Sequence, residues 1–206
     1  MLNPVKFVGI AAVTFACLHL SGCGNIQTVK SFSTPYEQPT SGERAKIRII
    51  SFDGMVRAVP NSSCIDWRLP GAGVMVVSAK RFANVNDQTL DMPVGKFPGL
   101  VTSMGSVAVS ELYIPAGKPI ALHYLSQGDM HKTIYQGSRQ VGTSYVQCFV
   151  PRSFVPVAGE NYEAVYKQIG DLCQFSIVRL AENGGIDSSS QVILNEAPLC
   201  RKSDIF

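Results

Sequence analysis

Apolar and polar residues alternate with a period of two along much of the chain beyond residue 43. In Ala45 to Phe52, Ile47 and Ile49 share one face and Lys46 and Arg48 the other, the spacing of a half-buried strand. Asp53-Gly54 separates this run from Met55 to Val59 and reads as the two-residue turn of a hairpin. Val74 to Ser78 is a continuous apolar run, as in a central strand. Val107 to Ile114, Ile120 to Leu125, Tyr145 to Val150, Tyr162 to Lys167 and Cys173 to Leu180 continue the series, and Gln191 to Leu194 is a short last candidate. Helical periodicity is missing from every window of useful length; only Ser63-x-x-Asp66 suggests a capped turn around Trp67, stopped by Pro70. The pattern predicts an all-β body, a single antiparallel β-sandwich of roughly seven to nine strands.

The N-terminal region breaks this pattern. Phe7 to Leu18 carries no charge after the lone Lys6, and Leu20-Ser21-Gly22-Cys23 follows. That is the layout of a secretory signal, and the run is shorter than the ~20 apolar residues of a membrane span. Leu20, Ser21, Gly22 and Cys23 resemble the lipobox of bacterial lipoproteins. The resemblance implies cleavage before Cys23, acylation of its thiol by chains such as palmitate, and that lipid as the attachment to the membrane. Gly24, rather than an aspartate, follows the cysteine, which in that family implies transfer to the outer membrane with the body facing the periplasm. Gly24 to Gly42 is rich in Ser, Thr, Gln and Pro, too poor in apolar residues to fold alone, and reads as a flexible tether. The expected organisation is a signal peptide over 1–22, a lipidated N-terminus and linker over 23–42, and a β-sandwich domain over 43–206.

Loss of residues 1–22 leaves 184 of 206 residues, enough for one substantial core, and removes Lys6, so the net charge falls from +3 to +2. A balance so near neutral argues against nucleic acid as the main partner. Of six cysteines, Cys17 lies in the discarded segment and Cys23 is the lipidation site. Cys64, Cys148, Cys173 and Cys200 remain, and an even count in an oxidising compartment reads as two disulfides with three pairings open. Cys148 shares a strand face with Val146 and Val150, and Cys173 with Phe175 and Ile177. Both thiols then point coreward, which favours Cys148–Cys173 and leaves Cys64 for Cys200.

Two turns are alike: Tyr113-Ile114-Pro115-Ala116-Gly117-Lys118 and Phe154-Val155-Pro156-Val157-Ala158-Gly159-Glu160. Pro presets a turn and Gly tolerates positive φ, so each suits a strand-to-strand connection. A Pro-x-Ala-Gly turn ahead of an alternating strand is similar to the small β-sandwich modules of bacterial envelope lipoproteins, transthyretin-like ones among them. An Ig-like sandwich is the other form this body is expected to take.

Candidate chemistry is sparse. His123 is expected on a solvated strand face and His131 in a polar turn, and neither has a metal-ligating neighbour at helical spacing. Thr89 and Gly95 stand where a calcium loop beginning at Asn84 needs a glycine and a glutamate. No G-x-S-x-G occurs. Neither an enzyme activity nor a metal or cofactor is expected. Asp66, Trp67 and Arg68, around the single tryptophan, are the candidate binding residues, as a platform for a sugar ring. Arg81 to Gly105 is the longest stretch without a strand and reads either as a binding loop or as an insertion without a task. The expected function is that of a non-catalytic outer-membrane lipoprotein, a structural or adaptor protein with a protein partner in the envelope. Two alternatives stand beside it: a module for glycan or peptidoglycan fragments, and an inhibitor of a host or competitor enzyme.

Overall fold

β-branched and aromatic residues in period two produce strands almost throughout. A computed structural model describes residues 32–78, 86–99, 106–134, 141–188 and 191–201; Leu20, Ser21, Gly22 and Cys23 lie outside them. Its strands are β1 (Arg44–Ser51), β2 (Gly54–Val59), β3 (Gly73–Val77), β4 (Ala108–Pro115), β5 (Ile120–Ser126) and β6 (Asp129–Ile134). They continue with β7 (Val141–Val146), β8 (Phe149–Phe154), β9 (Asn161–Ile169), β10 (Leu172–Leu180) and the short β11 (Asn195–Glu196). One sheet has the order β10-β9-β1-β4, a second β11-β8-β5-β2-β3, and β6 and β7 form a separate ribbon.

The body is all-β. Ile47, Ile49, Leu112, Tyr162 and Tyr166 of the first sheet and Val56, Met75, Leu122, Tyr124 and Phe154 of the second belong to one hydrophobic cluster. Rings link the two sides: Tyr124 and Tyr166 have centroids 5.2 Å apart, and Phe154 meets Tyr162 edge-on at 5.2 Å.

Several expectations are corrected. β1 and β9 run parallel, so the first sheet is mixed rather than purely antiparallel. Asp53-Gly54 does not close a hairpin: β1 and β2 lie in different sheets, and the dipeptide carries the chain from one to the other. The Asp53 carboxylate accepts bonds from the Tyr124 hydroxyl and the Gln168 amide, and a Cβ on Gly54 would lie 2.4 Å from the Leu125 carbonyl oxygen. The hairpin with a two-residue turn is β9–β10, where Gly170 at φ 56° takes the first central position of a type II′ turn. The run 145–150 breaks at Gln147-Cys148, where the Gln147 side-chain amide donates to Ser126 O and Ser126 bonds both backbone groups of Cys148, so that β7 ends before β8 begins. Residues 191–194 precede the last strand instead of forming it.

The expected tether also changes. Residues 34–37 lie along β3, with Tyr36 N–H bonded to Val74 O at 2.8 Å and Val74 N–H to Thr34 O at 2.8 Å. Tyr36 is 3% exposed and part of the core. The folded body therefore starts before Glu43, because one aromatic ring with a sheet edge to lie on outweighs the polar residues around it. A Cβ on Gly73 would lie 2.5 Å from the Pro35 and Thr34 carbonyl oxygens, so only glycine admits this segment.

The two similar turns prove to be equivalent corners. The first leads from β4 to β5 and the second from β8 to β9, each crossing between the two sheets. Gly117 N–H donates to Pro156 O at 2.8 Å, so the corners touch, and Gly117 and Gly159 sit at φ 71° and 80°. Disulfides join Cys64 to Cys200 and Cys148 to Cys173. Cys148 is buried, but in the break between β7 and β8 and not on a strand face, and Cys173, expected to point coreward, lies at an exposed end of β10.

Candidate functional site

Each sheet buries an arginine on the face turned away from the core. On the second sheet this is Arg57 of β2, opposite His123 of β5. His123, expected on a solvated face, is fully buried, because residues 61–72 and 197–200 fold across that face. The Arg57 guanidinium lies 4.2 Å from the centroid of the Trp67 ring and 4.5 Å from that of Phe32. Phe149 meets His123 edge-on at 5.0 Å. Arg57 Nη2 donates to His123 Nδ1 at 2.9 Å, and a guanidinium has only donors, so the His123 proton sits on Nε2. Burial, and after it the Arg57 charge, hold the His123 pKa well below its ordinary value. Burial also pushes Arg57 down to about 10.

A histidine kept neutral in the folded protein takes up a proton on unfolding once the pH is below about 6.5, so acid weakens the fold. The loss steepens toward about 1.4 kcal/mol per pH unit below that point and continues until the folded histidine itself titrates. His123→Gln keeps an acceptor for Arg57 and is expected to flatten this fall in urea midpoints between about pH 7 and pH 5. An unchanged slope would assign the acid sensitivity to another group.

Trp67 of the expected sugar platform is half-buried against this cluster. Trp67 turns one ring face to Arg57 and meets His123 edge-on at 5.9 Å. Asp66 and Arg68 pair with each other, Arg68 Nε to Oδ1 at 2.7 Å and Nη2 to Oδ2 at 2.8 Å. Those bonds hold the Asp66 carboxyl below its ordinary value. The helical turn foreseen around Trp67 is a reverse turn closed by Leu69 N–H on Asp66 O at 3.1 Å.

On the first sheet Arg48 stands level with Glu111 of β4 and Glu163 of β9, all three buried. Residues 86–97, part of the stretch expected as loop, strap this face. Glu111 accepts the Leu90 and Met92 amides, Glu163 accepts the Lys96 amide at 2.8 Å, and Gln88 binds the edge of β4. Gly95 is required, since a Cβ there would lie 1.9 Å from Glu163 Oε2. Residues 81–85 and 100–105 of the same stretch lie outside the described residues.

Where the strap ends, it builds a groove. Lys96 and Phe97 face Phe52, at the end of β1, and Val165, Lys167, Gln174 and Phe175 of the β9–β10 hairpin, around a hollow of about 620 Å³. Phe52 and Phe97 meet edge-on at 5.9 Å. Lys167 Nζ lies 5.2 Å from the Phe52 centroid and Lys96 Nζ 6.0 Å from that of Phe97. Two ammonium groups over aromatic walls suit an anionic partner with apolar parts. Among the described residues no three His, Cys, Asp or Glu side chains converge on a metal position, and His131 lies on β6. The sequence pattern singled out the strap but not Phe52 or Lys167; Val165 and Lys167, two apart on one face of β9, were the available signal. Comparison with protein-family models, with curated proteins and with solved structures gives no match.

Proposed function

We propose that the chain is a non-catalytic lipoprotein, cut before Cys23, acylated there, and held at the outer membrane with its body in the periplasm as an adaptor for an envelope protein. The observation that carries this is the allocation of cysteines. All four cysteines beyond Cys23 are used in disulfides, so the body makes no call on Cys23, which of the remaining two, Cys17 and Cys23, is the one in the lipobox-like motif. Paired thiols in a body of this size favour an exported, oxidising setting. We read the body as a β-sandwich of the Ig-like or transthyretin-like kind, since two sheets contribute to one core. Residues 24–31 span at most about 29 Å, so the body would sit close to the lipid surface. The lysine-lined groove is the surface best suited to a partner. No observation favours the glycan platform, because Trp67 is packed on Arg57.

Intact-mass analysis of the protein extracted from membranes is expected to show a species beginning at Cys23 with added acyl mass. A species that keeps Met1, or begins elsewhere without lipid, would overturn the lipoprotein reading. For adaptor duty, a photocrosslinker at Gln174 in living cells is expected to give one discrete adduct with a protein. Adducts with lipid or glycan alone would reject it.

A further inference from the structure

β10 is the outer strand of its sheet. The opposite edge, β4, is occupied by Gln88, and by Gln38, whose side chain accepts the Tyr113 amide at 2.8 Å. The β3 edge of the second sheet carries residues 34–36. Along β10 the situation differs. Leu172 and Ile169 close the hairpin, so alternate residues from Leu172 bond to β9, and Cys173, Phe175, Ile177 and Arg179 turn their backbones outward. Arg179 agrees, for its carbonyl accepts the Asp187 amide at 2.9 Å. Among the described residues, no backbone bond reaches Cys173, Phe175 or Ile177 from that side.

A hollow of about 540 Å³, walled by Val192 and Leu194, lies against residues 175–178 of β10. It shares Phe175 and Ser176, which face opposite sides of the sheet, with the lysine-lined groove, so the two hollows flank the same part of β10. Phe175, Val192 and Leu194 pack on the core yet remain only partly covered. On the opposite face of the hairpin, Gln174 stands beside Lys167, with Lys96 near.

We propose that the outer edge of β10 accepts an extended segment of another protein as an added strand, one in which apolar and acidic residues alternate. The apolar residues would cover Phe175, Val192 and Leu194, and the acidic ones would face Lys96 and Lys167. Backbone bonds supply the attachment and the two faces supply the selectivity. A second copy of this chain suits the edge less well, since pairing β10 with β10 brings two lysine pairs to one seam. The inference rests on the adaptor reading for its role in the cell, but the edge itself is tested separately. If the probe below binds and Gln174 gives no protein adduct, the adaptor reading fails alone.

The probe is an end-capped peptide of roughly eight residues alternating valine and glutamate, titrated into the full-length chain in detergent. Saturable binding is expected, with amide exchange slowed at Cys173, Phe175 and Ile177 and unchanged at Gln174 and Ser176. Lys96→Glu with Lys167→Glu is expected to weaken binding about tenfold. A valine–lysine peptide that binds equally well, protection placed on another edge, or protection of β10 by self-association without peptide would each overturn the proposal.

Discussion

Replacing Arg48 by methionine is expected to lower the unfolding free energy by about 3–5 kcal/mol, the cost of breaking a buried ion pair from one side. Arg48 uses its full set of donors: Nε and Nη2 reach Glu111 Oε1 at 2.8 and 2.6 Å, and Nη1 reaches Glu163 Oε2 at 3.2 Å. The remaining bonds, each 3.0 Å, go to the carbonyls of Pro93 and Met92. Methionine fills most of the space and leaves two buried carboxylates facing each other across β1. For a body of this length the melting temperature should fall by roughly 10–15 °C. Urea titrations of both proteins measure the free-energy loss. A loss below about 1 kcal/mol would mean that Arg48 is a solvated surface pair.

Removal of the Cys64–Cys200 bond should cost more than removal of Cys148–Cys173. The cross-links span 136 and 25 residues, and the chain-entropy argument assigns them about 5 and about 3.5 kcal/mol. The longer link also holds a local structure. Ile65 N–H donates to Pro198 O at 2.8 Å and Cys200 N–H to Ile65 O at 3.1 Å, and this pairing sets the segment that brings Trp67 over Arg57. Serine at 64 and 200 should therefore shift Trp67 emission to the red before global unfolding, while serine at 148 and 173 should leave it in place. Trp67 is the only tryptophan, so the emission has a single source. Equal stability losses and equal emission shifts would remove the distinction.

These effects concern residues whose positions the sequence marked and whose surroundings it did not. Period two put Arg48 and Lys46 on the face opposite Ile47 and Ile49, and that assignment of faces stands. What covers the second face came from elsewhere in the chain. Residues 86–97 lie over Arg48, and residues 61–72, with Phe32 from the expected linker, lie over Arg57 and His123. A polar residue at an outward position looks solvated until a distant loop is known to lie across it. Asp53-Gly54 shows the same limit, since a tight turn between two strands serves a hairpin or a change of sheet equally well.

Local pattern missed β6, the break between β7 and β8, and β11, but located β1 to β5, β9 and β10, the two faces of β1, the corner turns and the even number of cysteines beyond Cys23. Each of these depends on backbone geometry or on counting, and is settled by residues close together in the chain. Long-range packing set β1 beside β9, buried two arginines, and placed β10 as the outer strand of its sheet near Lys96 and Lys167. Those outcomes turn on which distant segment occupies a given face or edge. That choice is made by packing between residues far apart in sequence, for which the local pattern carries no record.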